Sequence, residues 1–160
     1  MEPTTRVELA ELVAQSLERI EAQYPSVTIE SASVPDDVYV DGTLDVVLLN
    51  VLENAAMHND ALDPQVRIEV ENQDESVRIE IADNGPGIDD YERAVIERGM
   101  EDSLQHSSGL GLWLIKWGAE IAGGEIELRD NEPTGTVVTV HVPRLSAPGV
   151  ESDTVRTNSE

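Results

Sequence analysis

The sequence predicts an α+β protein, a two-layer α/β sandwich in which helices cover a largely antiparallel sheet. Three observations carry this. Apolar residues recur at helical spacing in three separate stretches. Elsewhere they alternate with polar residues over short runs that come in pairs joined by polar links, the pattern of antiparallel strands packed on one face. Finally, 160 residues with 39% hydrophobic side chains suit one domain, long enough to bury about 70% of its unfolded surface.

The elements follow in chain order. Residues 1–5 carry no pattern and read as a flexible N-terminus. The domain is placed at 6–144, and 145–160, dominated by Ser, Pro, Gly, Asp, Thr and Asn, reads as a disordered tail. Val7 to Gln23 is expected to be an amphipathic helix, with Leu9, Leu12, Val13, Leu17 and Ile20 on one face. Val27 to Glu30 alternates as a short strand, and Val38 to Val40 is a candidate for another. Thr43 suits the N-cap of a second helix running to about His58. Val66 to Val70 and Val77 to Ile81 alternate as two strands, with the polar stretch Glu71 to Ser76 as their hairpin link. Asp83 to Gly87 interrupts the pattern with two glycines and a proline. Leu110 to Ala122 is the third helix, closed by Gly123-Gly124. Trp113 and Trp117, four apart on it, share a face that is expected in the core. Glu125 to Leu128 and Thr136 to Val142 are the last strands, joined by a turn containing Pro133 and Gly135.

Composition excludes several classes of function. There is no cysteine, hence no disulfide, thiol nucleophile or thiolate metal site. Ten Lys and Arg against 33 Asp and Glu give a net charge of −23, the wrong sign for a nucleic-acid binder that must displace counterions. No apolar run approaches the roughly 20 residues needed to span a bilayer, and no signal peptide begins at Met1. A cytoplasmic protein without direct membrane contact is expected. The acidic residues are spread along the chain, and Lys116 is the only lysine. Such a surface repels itself until salt screens it, and at about 1 M salt the Debye length falls to roughly 3 Å. The cytoplasm of a salt-accumulating organism fits this composition; an ordinary acidic soluble protein is the alternative.

Three segments carry chemistry. On the second helix, with Asn50 set at 0° and about 100° per residue, Asn54 falls at about 40° and His58 at about 80°. The three form one polar stripe, with Val47, Leu48, Val51, Leu52 and Ala55 expected on the opposite side. An asparagine carbonyl is a hard oxygen ligand suited to Mg²⁺ that shares phosphate oxygens, although such a stripe taken alone is more often a solvated face. The second segment, Asp83-Asn84-Gly85-Pro86-Gly87-Ile88, follows a strand. Its glycines allow close backbone approach, and an aspartate at a strand end can accept a hydrogen bond from an exocyclic amine; a plain turn has the same composition. The third, Ser107-Ser108-Gly109-Leu110-Gly111-Leu112, opens the third helix, where free amides and the helix dipole favour phosphate. Between the last two lies the polar stretch Asp89 to His106, suited to a mobile lid or to a surface helix and loop.

In this order and spacing the three segments resemble the ATP-binding catalytic domain of sensor histidine kinases, in the superfamily of gyrase, heat-shock chaperone, histidine kinase and mismatch-repair ATPases. Asn50 to His58 is similar to the family's N box, Asp83 to Ile88 to its first glycine box, and Ser108 to Leu112 to its second. Gly135-Thr136 matches the last element of the pattern, and the resemblance runs from about Val7 to Arg144. It implies a mixed five-stranded sheet with three helices on one face. It also implies roles. Asn54 coordinates the Mg²⁺ that bridges ATP phosphates, with Asn50 and His58 flanking it. Asp83 accepts the adenine amino group, Thr136 supports it, Gly85 and Gly87 shape the turn, and Ile88 lies against the base. Ser108, Gly109, Leu110, Gly111 and Leu112 form the phosphate-facing turn, in which the amides of Gly109, Leu110 and Gly111 are offered to the phosphates.

The sequence departs from the family pattern in places. Related ATPases carry a glutamate as general base where this chain has Asn50, so hydrolysis should be slow. Glu53, the nearest acid, lies about 60° round the helix from Asn50 on the side away from Asn54. Met57 stands where many kinases have Lys or Arg. With no Phe in the chain, Ile96-Glu97-Arg98-Gly99 is the counterpart of the Phe-containing box, and Arg98 is the expected lid cation.

A phosphoacceptor is also missing. Family members carry it on a dimeric helical hairpin, usually with an acidic residue next to the histidine. The histidines here precede Asn59, Ser107 and Val142. The chain is therefore expected to be an excised catalytic domain or a small stand-alone ATP-binding protein, monomeric in the first case and unable to phosphorylate itself. Its partners would be ATP, the absent hairpin and, indirectly, a response regulator. The alternative function is an ATP- or ADP-sensing module that regulates a partner without phosphotransfer.

Overall fold

The computed structural model describes residues 5–32, 34–57, 59–86, 115–132 and 134–146. In chain order the elements are β1 (Arg6–Glu8), α1 (Leu9–Gln23), β2 (Thr28–Ser31), β3 (Tyr39–Asp41), α2 (Leu44–Met57), β4 (Gln65–Gln73), β5 (Ser76–Asp83), β6 (Glu125–Asp130) and β7 (Thr136–Pro143). Residues 115–121 are helical.

Five strands form one mixed sheet in the order β2-β4-β5-β7-β6. Only β2 runs parallel to its neighbour, pairing Ile29 with Val66; the other three ladders are antiparallel. Strand alternation gives the sheet two unlike faces. Val66, Ile68, Val77, Ile79, Ile81, Val140 and Val142 point into the core. The opposite face carries ion pairs such as Arg78 with Glu80 at 2.8 Å and Arg129 with Glu80 at 3.3 Å. Helix α2 packs on β4 and β5, and α1 packs on α2. The expected sandwich is present.

Several expectations need correction. Val7 and Glu8, assigned above to the first helix, lie in β1, where Val7 pairs with Val40 of β3. The Leu9 amide donates to the Val38 carbonyl at 2.8 Å, so strand pairing takes the backbone groups that helix would have used. In α1 the buried residues are Leu9, Leu12, Val13, Ser16 and Ile20; Leu17 is only partly buried and Ser16 takes the inner position. The hairpin link is shorter than expected. Gln73 pairs with Ser76, so only Asp74 and Glu75 turn the chain. Past the sheet, Leu145 bridges Tyr39 and the Ser146 carbonyl accepts from Arg6 Nη1 at 3.2 Å, so the chain stays tied to the fold through Ser146. Trp117, expected in the core, is 44% exposed, while Ile115, Ala119 and Ala122 are buried. The inner face of this helix therefore combines one large side chain, Ile115, with the small Ala119 and Ala122. At Gly118 an added Cβ would lie 2.7 Å from Val47 Cγ2, so the glycine lets this helix approach α2 closely. Trp113 and the N-terminal part of the expected third helix lie outside the described residues.

Candidate functional site

The two described segments with expected chemistry meet at one end of the sheet. Strand β5 ends at Asp83, and the chain turns through Asn84 and Gly85. Asp83 Oδ1 accepts the Gly85 amide at 2.8 Å, and the Thr136 amide also bonds to this carboxyl. Burial pushes the Asp83 pKa above its ordinary 3.8; the two amide bonds pull the other way without cancelling the desolvation. An ionised carboxylate has about four lone-pair sites, so capacity remains for a further donor. In a site where burial already disfavours the charge, such a bond is worth more than it would be in water.

The turn is held from two sides. On the α2 side, Asn84 Oδ1 accepts from Asn59 Nδ2 and from the Gln65 amide, each at 2.8 Å, and Asn84 Nδ2 donates to the Asp63 carbonyl at 2.9 Å. Asn59 lies two positions past the end of α2, its amide donating to Ala56 O at 3.4 Å. The end of the asparagine-bearing helix is thus pinned to the aspartate turn. On the β7 side, Asn131 Nδ2 donates to the Asp83 carbonyl and Thr134 Oγ1 to the Gly85 carbonyl, both at 2.8 Å. Gly135 makes this approach feasible. Its φ is +114°, and an added Cβ would lie 1.9 Å from the Asp83 carbonyl oxygen, so no other residue fits.

On α2 the two asparagines differ. Asn50 Nδ2 donates back to the Val46 carbonyl at 2.7 Å, a bond within its own helix. Asn54 is half-buried and has no hydrogen-bond partner among the described residues, so its carboxamide oxygen can serve a ligand. The stripe does not oppose the apolar face as expected. Val47 is fully buried yet lies only about 20° from Asn54 on the helical wheel. The buried arc of α2 is broad because the helix packs on both the sheet and its helical neighbours, and the amides border it. Met57 is 51% exposed and presents no cation.

Of the residues singled out in the sequence, the structure places Asp83, Gly85 and Thr136 together, with Asn50 and Asn54 on the adjacent helix. His58, Gly87, Ile88, Arg98, Ser108, Gly109, Leu110, Gly111 and Leu112 lie outside the described residues. Sequence reasoning missed Asn59, Asn131 and Thr134 as parts of the site. Each sits in a turn-rich stretch where Asn and Thr read as ordinary loop formers; only the matching carbonyls across the fold reveal their use.

Comparison with known proteins gives this geometry a family. The family model described as histidine kinase-, DNA gyrase B- and HSP90-like ATPase matches residues 40–146. The sensor histidine kinase CitA of Klebsiella pneumoniae is 37% identical over 97 residues, 60% of this chain and 18% of that protein. The histidine-protein kinase/phosphatase MprB of Mycolicibacterium vanbaalenii is 34% identical over 138 residues, 81% of this chain and 28% of that protein. The chain thus spans less than a third of the length of these relatives. Among solved structures, a mycobacterial sensor histidine kinase MprB superposes with a TM-score of 0.73 at 28% identity, covering 90% of this chain and 99% of that one. The ATP-binding domain of PrrB from Mycobacterium tuberculosis gives 0.72 at 23% identity, covering 91% and 100%, a likeness of fold. With two thirds of its length matched by the family model and its aspartate turn and asparagine helix joined at one site, this chain belongs to the histidine kinase-, DNA gyrase B- and HSP90-like ATPases, as a catalytic domain homologous to those of sensor histidine kinases.

Proposed function

We propose that this domain binds Mg·ATP at the Asp83–Asn54 site and donates the γ-phosphate to a histidine on a dimerisation hairpin outside this chain. One observation carries the reading. A partly buried carboxylate, oriented by two backbone amides and short of donors, stands beside a helix whose Asn54 side chain has no partner among the described residues. That donor set fits an adenine amino group and a Mg²⁺ ligand. Bound Mg²⁺ would neutralise phosphate charge. Asn54 would offer the ion a hard amide oxygen of the kind Mg²⁺ accepts beside phosphate oxygens and water.

In the transfer, the acceptor nitrogen bonds to the γ-phosphorus as the bond from phosphorus to the β,γ-bridging oxygen breaks. ADP leaves with the electron pair, and the imidazole N–H proton passes to a base on the acceptor side. The protein's part is to hold the base at Asp83 and to orient the phosphates. Asn54 would be the metal ligand, Asn50 would flank it, and His58, Gly87, Ile88, Arg98 and the Ser108 to Leu112 turn would complete the nucleotide contacts. A monomeric state for this domain, a downstream response regulator and a salt-rich cytoplasmic setting belong to the same proposal. None of the described helices is long and apolar enough to cross a membrane.

Calorimetric titration with a non-hydrolysable ATP analogue and Mg²⁺ in molar KCl tests the pocket. Mixing with a histidine-bearing hairpin of a related kinase tests the transfer. Weaker binding by both Asp83→Asn and Asn54→Ala in Mg²⁺, together with acid-labile phosphohistidine on the hairpin, is expected. Binding without phosphohistidine on any hairpin would leave nucleotide sensing as the function.

A further inference from the structure

The two edges of the Asp83 turn are held by different means. Toward β4 the backbone ladder continues to the end of the strand: Val66 pairs with Asp83, and the Asn84 amide donates to the Gln65 carbonyl at 3.3 Å. Toward β7 the last registered pair is Ala82 with Val137. From there the carbonyls of Asp83 and Gly85 are bonded by side chains of the β6–β7 loop, Asn131 and Thr134, each at 2.8 Å. Asn131 is itself fixed. Its amide donates to the Gly135 carbonyl at 3.0 Å, and its Oδ1 accepts the Glu132 amide at 2.9 Å. Its carboxamide therefore has one orientation, with Nδ2 aimed at the carbonyl of the residue that bears the carboxylate.

We propose that Asn131 and Thr134 are positioning residues for base recognition, clamping the Asp83–Gly85 turn so that the Asp83 carboxylate meets the exocyclic amine of adenine and rejects guanine. This rests on the nucleotide reading above. Adenine presents an amino group where guanine presents a carbonyl oxygen, so a carboxylate in place gains a bond with one and faces a repelling acceptor in the other. Displacing it by a fraction of an ångström weakens both effects, while phosphate and metal contacts, made elsewhere, remain. The signature of the clamp is thus a change in selectivity.

The test titrates the wild-type chain, Asn131→Ala, Thr134→Val and Thr134→Ser with non-hydrolysable ATP and GTP analogues in Mg²⁺ and molar KCl, with the melting temperature of each. Wild type is expected to prefer the adenine analogue. Asn131→Ala and Thr134→Val should each reduce the adenine-to-guanine affinity ratio by about three- to tenfold, the effect of one lost hydrogen bond. Thr134→Ser, which keeps the hydroxyl, should restore the ratio. Equal loss of both nucleotides, or a lower melting temperature at unchanged ratio, overturns the proposal and leaves the loop a structural support. Should Asn131→Ala fail to fold, Thr134→Val, at an exposed loop position, still decides. A folded wild-type chain that binds neither nucleotide would instead overturn the nucleotide reading, and the clamp with it.

Discussion

Replacing Asp83 by Asn keeps the shape of the side chain and removes its charge and one acceptor oxygen. In the structure the carboxyl already accepts the Gly85 amide at 2.8 Å and the Thr136 amide. An Asn side chain has one carbonyl oxygen for these amides and for adenine together, and its NH₂ would face donors. A hydrogen bond to a charged group contributes about 1.5–3 kcal/mol, so affinity for an adenine nucleotide should fall roughly 10- to 150-fold. The pH dependence sharpens the test. Burial raises the Asp83 pKa in the folded chain. Below that raised pKa and above 3.8 the folded state holds a proton that the unfolded chain has released. This group therefore costs stability at neutral pH, and the cost shrinks as pH falls through the raised pKa and is gone below 3.8. The stability of wild type relative to Asp83→Asn should rise on acidification, while its nucleotide affinity, which needs the carboxylate, should fall over the same range. Titration calorimetry and thermal melts of both proteins from pH 7.5 to about 4 read the two slopes. An Asn variant that binds the adenine analogue within about twofold of wild type, a tenth to a fifth of the loss expected at minimum, would refute the assignment of Asp83.

Other predictions follow from the same structure. Asn54→Ala should remove the dependence of nucleotide affinity on Mg²⁺ while leaving affinity measured in EDTA unchanged; equal loss in both conditions would mean that Asn54 is not the metal ligand. Gly118→Ala brings a methyl to 2.7 Å from Val47 Cγ2, and Val47 is stiff and fully buried. Overpacking of about 1–3 kcal/mol should exceed the helix-propensity gain of up to about 1 kcal/mol, and denaturant titration of Gly118→Ala with Val47→Ala should give less than the sum of the single losses. With a net charge of −23, the unfolding midpoint should rise between about 0.1 and 1 M KCl as the Debye length shortens from roughly 10 to 3 Å; equal midpoints would remove the salt-adapted reading.

Much of the fold was legible because its signals are local. Alternation over Val66 to Ile81 and Thr136 to Val142 placed three neighbouring strands of the sheet, and helical spacing placed α1 and α2. What escaped depends on pairing between distant segments. β1 is three residues long and continues the apolar spacing of α1, so nothing in the sequence of Val7 and Glu8 distinguishes strand from helix. Val40, more than 30 positions away, decides it. The exposure of Trp117 has a similar cause. Its apolar character pointed inward, whereas the close contact of Gly118 with Val47 turns the side bearing Ile115, Ala119 and Ala122 to the core. In the site, Asp83, Gly85 and Thr136 were legible as motif residues, but Asn59, Asn131 and Thr134 were not, because their partners are backbone carbonyls and an asparagine brought close only by the fold.

Asn50 gives the last consequence. A general base for water needs a group that can take up a proton, most often an imidazole or a carboxylate, within reach of the attacking oxygen. At Asn50 the side chain is an amide whose NH₂ is bonded to the Val46 carbonyl at 2.7 Å, so it neither accepts a proton nor swings freely. Glu53 lies about 60° away on the side opposite Asn54. Bound ATP should therefore outlast encounters with water and be spent when an acceptor arrives, the behaviour a phosphotransfer domain requires. Asn50→Glu supplies the missing base in the same helical position and gives up only an exposed bond to Val46. A positioned base contributes about 10²–10⁴ in rate. Even with imperfect alignment, phosphate release by Asn50→Glu should exceed wild type by about tenfold or more, at similar nucleotide affinity. Unchanged release from a variant that still binds nucleotide would show that the position is out of reach of the attacking water, and that slow hydrolysis here has another origin.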